Sequence, residues 1–515
     1  MECLALVLAC LVSPVIWFLL LRLNFRRSKE INKRELADAI SRVTATGRFA
    51  RELACHEIGI LNENDAATGH SWAIFSFVSE VDLPVTTVQT SLRHIYRRHP
   101  ILRAKISKIV TSKNTVMKFI EEMEEETIVF RQSAATDYRT LADEDLVTVF
   151  DENGPLWKIT MLQSVKAEND DESKKYTFVA VGLHLIFDGT SVVTFVKDFI
   201  KILDYHLSNE KSVTDVESVP LKPSRDYYME SDIKLTMRDR VRFYMNGLYR
   251  HFRPKPAVDL TSKLNLVPEE NCGHGELKRT IEYIEIDFDE AETAQMVAAT
   301  RAKGLRVNAP IVTIAATALT KMLEEKQIPA IQNVIVQVIA NLRYPRICTD
   351  ITKRDLGDYT TRNVYNIDIP IPAESDRSTF WEVARNTQRE IEHQLNDLNL
   401  LFESCKTAKL ISRDPIARSP PYIADLIVTN WGSFDVLKNA NLERPIRDAR
   451  IHLFYNNFDT RVSPFTIIVA TIDGRLSFNV QYQTDDVGRD FALKYAEMIR
   501  KLFLECCHQG DATRL

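Results

Sequence analysis

The eight cysteines of this 515-residue chain form no CxxC pair and keep no regular spacing. Cys3 and Cys10 lie in the apolar amino end, Cys55, Cys272, Cys348 and Cys405 stand alone, and Cys506 and Cys507 are adjacent. Neither a disulfide framework nor a zinc site is indicated. There is no HExxH and no other metal-spaced cluster, so no metal is expected. Positive charge is not in excess: 66 Lys and Arg against 71 Asp and Glu leave a net charge of −5, which does not recommend nucleic acid as a partner. No Asn-x-Ser/Thr sequon occurs, which fits a cytosolic body weakly. A fixed-period repeat is also missing, and with it the solenoid and propeller classes. What remains is ordinary globular composition, 27% charged and 45% hydrophobic, in a chain too long for one simple core. Two lobes are expected.

One long hydrophobic run stands out. Cys3 to Leu21 carries no charge, and at about 1.5 Å per residue it can just cross a bilayer core of roughly 30 Å. Arg22, Arg26, Arg27, Lys29, Lys33 and Arg34 follow, which places the rest of the chain on the cytoplasmic side. A cleaved signal peptide is the competing reading. It is disfavoured by Glu2 in place of a basic cluster and by the lack of a small-x-small site. The expected division is a transmembrane anchor over 1–23, a polar helical connector over 24–47, and two lobes over 48–255 and 256–515.

The rest of the chain is organised around YTFVAVGLHLIFDGTSVVTFVKDFIKIL, Tyr176 to Leu203. Its apolar opening predicts a strand buried on both faces. Val192, Val193, Val196, Phe199, Ile200 and Leu203 predict an amphipathic helix after it. His184 ends the strand, and Asp188 and Gly189 open the helix, in the pattern His-x-x-x-Asp-Gly. A neutral imidazole can remove a proton from an alcohol or amine near pH 7, provided something holds its other nitrogen as N–H. A backbone carbonyl in the tight turn could do that. A satisfied core histidine is the plainer reading of these six residues alone. Asp188 has a structural role open to it, as a helix cap or as the partner of a buried arginine.

Elsewhere the pattern predicts a strand over 71–81, a helix from Pro84 to Pro100, and a strand over 102–110. A hairpin over 156–183 follows, and 121–126 reads as a solvated acidic turn. The second half predicts a strand over 280–287, helices over 308–323 and 378–396, and strands over 334–342 and 422–429. A hairpin turns at Asp473-Gly474, and a helix over 490–506 closes the chain.

RRHPILRAKI, GPLWKITML, HLIFDG, the small-residue helix APIVTIAATALTKML, ANLR and TNWG occur in that order. In this the chain resembles the superfamily with the chloramphenicol acetyltransferase-like fold, which includes condensation domains and alcohol acetyltransferases. The alcohol O-acetyltransferase branch looks most similar. The resemblance spans Gly47 to Cys507. It implies an α/β (α+β two-layer sandwich) fold of two lobes around a central channel. It implies that His184 is the general base, that Asp188 turns away and pairs with Arg103 or Arg343, and that Gly189 permits the turn. Of the two arginines Arg343 is preferred, because it ends a buried strand. Thr429 and Asn430 border the channel by the same resemblance and are candidates for holding an oxyanion. Two departures count. Leu183 stands where peptide-forming condensation domains usually have another histidine, and Asn430-Trp431-Gly432 only partly echoes the plant acyltransferase element.

The expectation is a membrane-anchored monomer at the endoplasmic reticulum with its catalytic body in the cytosol. It would move an acyl group from acyl-CoA to a hydrophobic alcohol and hold no permanent cofactor. Amide formation on an amine, and a non-catalytic lipid- or partner-binding protein that kept the fold, stay open beside it.

Overall fold

A computed structural model describes residues 30–64, 69–139, 141, 149–167, 170–208, 217–232, 281–325, 333–343, 350–361, 369–370, 377–396, 424–436, 445–452, 456–457, 463–484 and 487–507. The anchor over 1–23 and the expected lobe boundary near 255 lie outside these residues. Among the described residues no helix is long and apolar enough to cross a membrane.

The first half holds α1 (30–44), β1 (Ala50–Glu52), α2 (Cys55–Asn64), β2 (His70–Ser79), α3 (Val85–Arg98) and a 3-10 turn, Pro100–Arg103. It continues with β3 (Ala104–Val110), β4 (Val116–Glu122), β5 (Phe130–Ser133), β6 (Trp157–Leu162), β7 (Val165–Ala167) and β8 (Asp170–Leu183). The helices α4 (Gly189–Leu207) and α5 (Arg225–Asp232) complete it. The main sheet runs β2-β8-β6-β5, and the side-chain alternation of its strands divides it cleanly. Phe75 and Phe178 point to one face and pack with Phe199 of α4, at 5.5 and 5.2 Å between centroids. His70, Trp72 and Ile74 point to the other.

The second half holds β9 (Ile281–Asp287), α6 (Glu290–Ala302), α7 (Asn308–Glu325), β10 (Asn333–Val334), β11 (Val336–Asn341), β12 (Thr360–Thr361) and β13 (Ile369–Pro370). Then come α8 (Arg377–Asn396), β14 (Leu426–Phe434), β15 (Ile446–His452), β16 (Asn456–Asn457), β17 (Phe465–Ile472), β18 (Arg475–Gln483) and α9 (Arg489–Cys507). Its sheet runs β12-β11-β14-β17-β18-β9, with β11, β14 and β17 parallel. One face is covered by helices, and Phe465 meets Tyr495 of α9 at 4.8 Å. Ile468 and Ala470, on the other face, join the core of the first half.

Three features differ from the sequence expectation. The connector is not a bare linker, because Leu36 and Ala39 of α1 pack on Phe119 of β4. The acidic turn is partly strand: Glu121 and Glu122 end β4, where Glu121 meets Lys105 and Glu122 meets Arg103. The chain also crosses back, since β15 pairs antiparallel with β2 and extends the first sheet. The two halves therefore share a strand as well as an interface.

Candidate active site

β8 delivers His184 to the point where the two halves meet. Its strand is buried because Tyr176, Phe178, Ala180, Val179, Val181 and Leu183 fill both faces. The His184 N–H donates to Gly69 O at 2.9 Å, and Ile186 N closes a tight turn onto Leu183 O at 2.9 Å. Asp188 then caps α4 by accepting from Ser191 N at 2.8 Å. Such a cap is worth about 1 kcal/mol.

The cap and the buried ion pair turn out to be held by the same carboxylate. Asp188 Oδ2 takes the Arg343 guanidinium and also the Tyr359 N–H at 3.0 Å, and both charged side chains are fully buried. Arg343 goes on to Ser191 Oγ at 2.9 Å and to the carbonyls of Asp355 and Gly357, with its guanidinium 4.8 Å from the Tyr359 ring centre. Arg103 lies elsewhere, with Glu122 at 2.7 Å. The reason is local: the 3-10 turn places Arg103 beside the end of β4, away from α4.

All of Asp188's oxygens are spent on the frame, so it has a structural part. Asp188→Asn keeps the shape but leaves a buried guanidinium without its charge partner. We expect about 3–5 kcal/mol of lost stability, the cost of leaving a buried charge without its partner. The urea midpoint reads it, and the pH profile of the residual activity should keep its shape.

The segment 350–361 comes from the second half and clamps the histidine turn. Phe187 bridges to Gly357, Asp358 N donates to Leu185 O at 3.2 Å, and Ser191 Oγ donates to Gly357 O at 2.9 Å. Gly357 sits at φ +143 with the Tyr359 ring 2.8 Å from where a Cβ would be, so no other residue fits there unstrained. Asp358 is thereby set beside His184. Its Oδ2 lies 3.6 Å from His184 Nδ1, a close electrostatic contact just beyond hydrogen-bond length.

This carboxylate, not a backbone carbonyl, faces Nδ1. Burial alone would raise the Asp358 pKa, but the neighbouring His184, then His56 and Arg225, hold it well below the usual carboxylate range. A carboxylate at Nδ1 keeps the proton on that nitrogen and leaves Nε2 with the lone pair. His184 itself is 5% exposed.

A second buried imidazole shares the same oxygen. His56 Nε2 lies 3.8 Å from Asp358 Oδ2, and its Nδ1 lies 3.3 Å from Asp226 of α5. His56 is fixed by α2, whose first turn is anchored by the two-pronged buried pair of Arg51 with Glu57 at 2.8 and 2.7 Å. Asp358, His56 and Asp226 were not among the residues singled out from sequence. A carboxylate in GDY and a histidine in CHE carry no pattern that would have found them.

Gly189 has a reason beyond the turn. A Cβ there would sit 2.3–2.4 Å from the indole of Trp431, so Trp431 lies directly on the glycine. The strand β14 does not end at Thr429 as expected but continues through a bulge after Asn430. That bulge carries Trp431 across to the histidine turn. Asn430 braces it by accepting from Gly432 N at 2.9 Å. In the register Thr429 pairs with Ile468, on the face toward the first half, whereas Asn430 pairs with Val469 of the helix-covered core. The structure thus brings His184, Asp188, Gly189 and Arg343 together, puts Thr429 on the facing sheet, and uses the Asn430 carbonyl in the bulge.

His70 is the cross-strand partner of Leu183, wholly buried, with its ring edge-on to Phe150 at 5.3 Å. Burial, and then the Lys158 charge, push its pKa down to about 4. The unfolded chain therefore binds this proton first. Stability should fall as pH drops from about 6.5 to about 4, by at most about 1.4 kcal/mol per unit. Chemical denaturation of wild type and His70→Phe at pH 7 and 5 checks this; the variant should lose that part of the slope.

The condensation-domain family model matches residues 60–513. The chain belongs to that family. The fold agrees. The epimerization domain from the third module of tyrocidine synthetase B superposes with a TM-score of 0.62 at 14% identity, covering 91% of this chain and 98% of that one. Trichothecene 15-O-acetyltransferase from Fusarium sporotrichioides gives 0.63 at 12%, covering 89% and 96%. The condensation domain of the Monacolin K polyketide synthase gives 0.60 at 9%, covering 89% and 98%. At these identities the likeness is one of fold. No curated protein matches by sequence. Condensation-domain members are acyl- and amide-forming transferases, so acyl transfer is the general activity of this family.

Proposed function

We propose that this protein is an acyl-CoA-dependent O-acyltransferase that uses His184 as general base on a hydrophobic alcohol. The observation that carries this is the Asp358 carboxylate at 3.6 Å from His184 Nδ1. A histidine kept for packing needs no buried charge behind it, and a buried carboxylate is costly to maintain. A base that must keep one nitrogen protonated and the other free needs just such a partner.

In the reaction the acceptor hydroxyl gives its proton to Nε2 while its oxygen attacks the thioester carbonyl. The tetrahedral intermediate collapses, the C–S bond breaks, and the sulfur leaves with the proton from His184. No proton is gained or lost overall. Asp358 stabilises the imidazolium that forms in between. Thr429, on the facing sheet, is our candidate donor to the oxyanion, a contribution of about 3 kcal/mol for one good donor.

The uncharged run Cys3 to Leu21 and its basic flank support a membrane anchor with the body in the cytosol, and the anchor in turn supports a lipid-like acceptor. The test is release of free coenzyme A, followed with a thiol reagent, over acyl chains of increasing length and a panel of long-chain and sterol alcohols beside matched amines. Turnover with alcohols supports the reading. Turnover confined to amines would replace it with amide formation, and no turnover by any pair would favour a binding protein.

A further inference from the structure

The hairpin β3–β4 ends in an apolar pair that faces solvent. Val110 and Val116 are direct cross-strand partners and are 70% and 58% exposed. Alternation decides which way they point. The preceding pair, Ile109 and Met117, packs with α1 on one face of the hairpin, and Val110 and Val116 stand on the other. Threonine suits a strand end as well as valine and would leave less bare hydrocarbon. The turn between them is braced. Thr111 N donates to Thr115 O at 3.0 Å, Asn114 N donates to Thr111 O at 2.8 Å, and Asn114 takes φ +53, which asparagine tolerates. Ser112 to Val116 is exposed throughout.

The helix α1 shows what this tip faces. Glu35, near its start, accepts from Ser112 N at 2.8 Å and from Ser112 Oγ, whereas Arg48, just past its end, donates to Glu122 O at the base of the hairpin. The chain therefore enters α1 at the tip and runs toward the base. Before α1 lies the uncharged run Cys3 to Leu21, and Arg22 to Lys29 join the two. Those eight residues reach about 28 Å at full extension, so a run lying in a bilayer keeps the tip close to its surface. Lys33, Arg34 and Lys113 are exposed at this end beside Glu30, and Arg22, Arg26, Arg27 and Lys29 precede them. An apolar tip ringed by basic residues suits the boundary between anionic headgroups and acyl chains.

We propose that the β3–β4 tip rests on an anionic bilayer surface, with Val110 and Val116 at the headgroup–acyl boundary and Lys113, Lys33 and Arg34 among the headgroups. This rests on the anchor reading and goes beyond it. The anchor holds the protein at the membrane, and the tip fixes which end of the first half faces the lipid.

The experiment adds a tryptophan to the full chain in phosphatidylcholine–phosphatidylserine vesicles, as Val110→Trp or Val116→Trp, with Leu493→Trp on the exposed side of α9 as control. The lipids are brominated near the glycerol end of their acyl chains and quench indoles at the boundary. Trp17 lies in the uncharged run, Trp72, Trp157 and Trp381 are buried, and Trp431 is packed on Gly189, so quenching of wild type reports the anchor. Beyond the wild-type change, the indole added at 110 or 116 should lose about half of its emission or more, and the one at 493 little. Lys113→Glu in the Val110→Trp chain should restore that emission on these vesicles. Tip indoles as bright as the one at 493, in a chain whose wild type is quenched, would overturn the contact, keep the anchor and leave the tip to a protein partner. Quenching at the tip that ignores the Lys113 charge would also overturn it, since the tryptophan alone then accounts for insertion. Quenched tip indoles with an unquenched wild type would sink the anchor reading alone, and no quenching in any chain would sink both.

Discussion

His184→Ala is expected to slow acyl transfer by about 10²- to 10⁴-fold, the usual worth of a positioned base. The fold should survive, because the backbone bond from His184 N to Gly69 O and the clamp from 350–361 do not use the imidazole. His184→Gln is the second variant, since it fills more of the space. Far-UV circular dichroism establishes folding, and the coenzyme A release assay on whichever pair the wild type turns over reads the rate. Wild-type rates in both folded variants would remove His184 from the chemistry and leave a binding role.

Asp358→Asn should cost as much while changing less. Asp358 Oδ1 accepts from Thr360 N at 3.0 Å and Thr360 Oγ1 at 2.6 Å, and an asparagine carbonyl can keep both. What changes is the side facing the histidine. An amide NH₂ there can only donate, so it asks His184 Nδ1 for a lone pair and drives the proton to Nε2, the wrong nitrogen. The same change in a serine-protease triad costs about 10⁴-fold in kcat, and a loss of about 10³- to 10⁴-fold is expected here. KM should move little, because Asp358 is placed behind the base. A loss confined to KM, or to stability at unchanged kcat, would assign Asp358 to the frame.

The part of the site carried on contiguous chain was legible. The switch from an unbroken apolar run to helical spacing located β8, His184 and α4, and the Asp-Gly step marked the cap. Arg343 was within reach because it follows an apolar strand. Asp358 was not. It lies in a segment with no periodicity, and it meets His184 only because Gly357 and Tyr359 dock on α4 from the other half. His56 was hidden for the same reason, its meaning set by α5 and by Asp358.

The elements missed or misread have similar causes. β15, IRDARIH, carries charges at three of its seven positions and a bulge between Arg447 and Arg450, so it lacks strand alternation; its partner β2 supplies the order. Glu121 and Glu122 look solvated in sequence, but the register of β3 and β4 sets Lys105 and Arg103 within reach. The continuation of β14 was masked by Gly432, which reads as a stop and is instead the positive-φ residue of a bulge.

The central claim is that two residues from opposite halves of the chain act as one base. The double-mutant cycle of His184→Ala, Asp358→Asn and the pair, scored as kcat on one substrate pair, tests it most directly. Residues that work as a unit are strongly non-additive. The account predicts that the double variant is no slower than His184→Ala alone, because a tautomer-holding carboxylate has nothing left to hold. Losses that multiply would contradict it, and would show Asp358 acting on the reaction by some route other than His184.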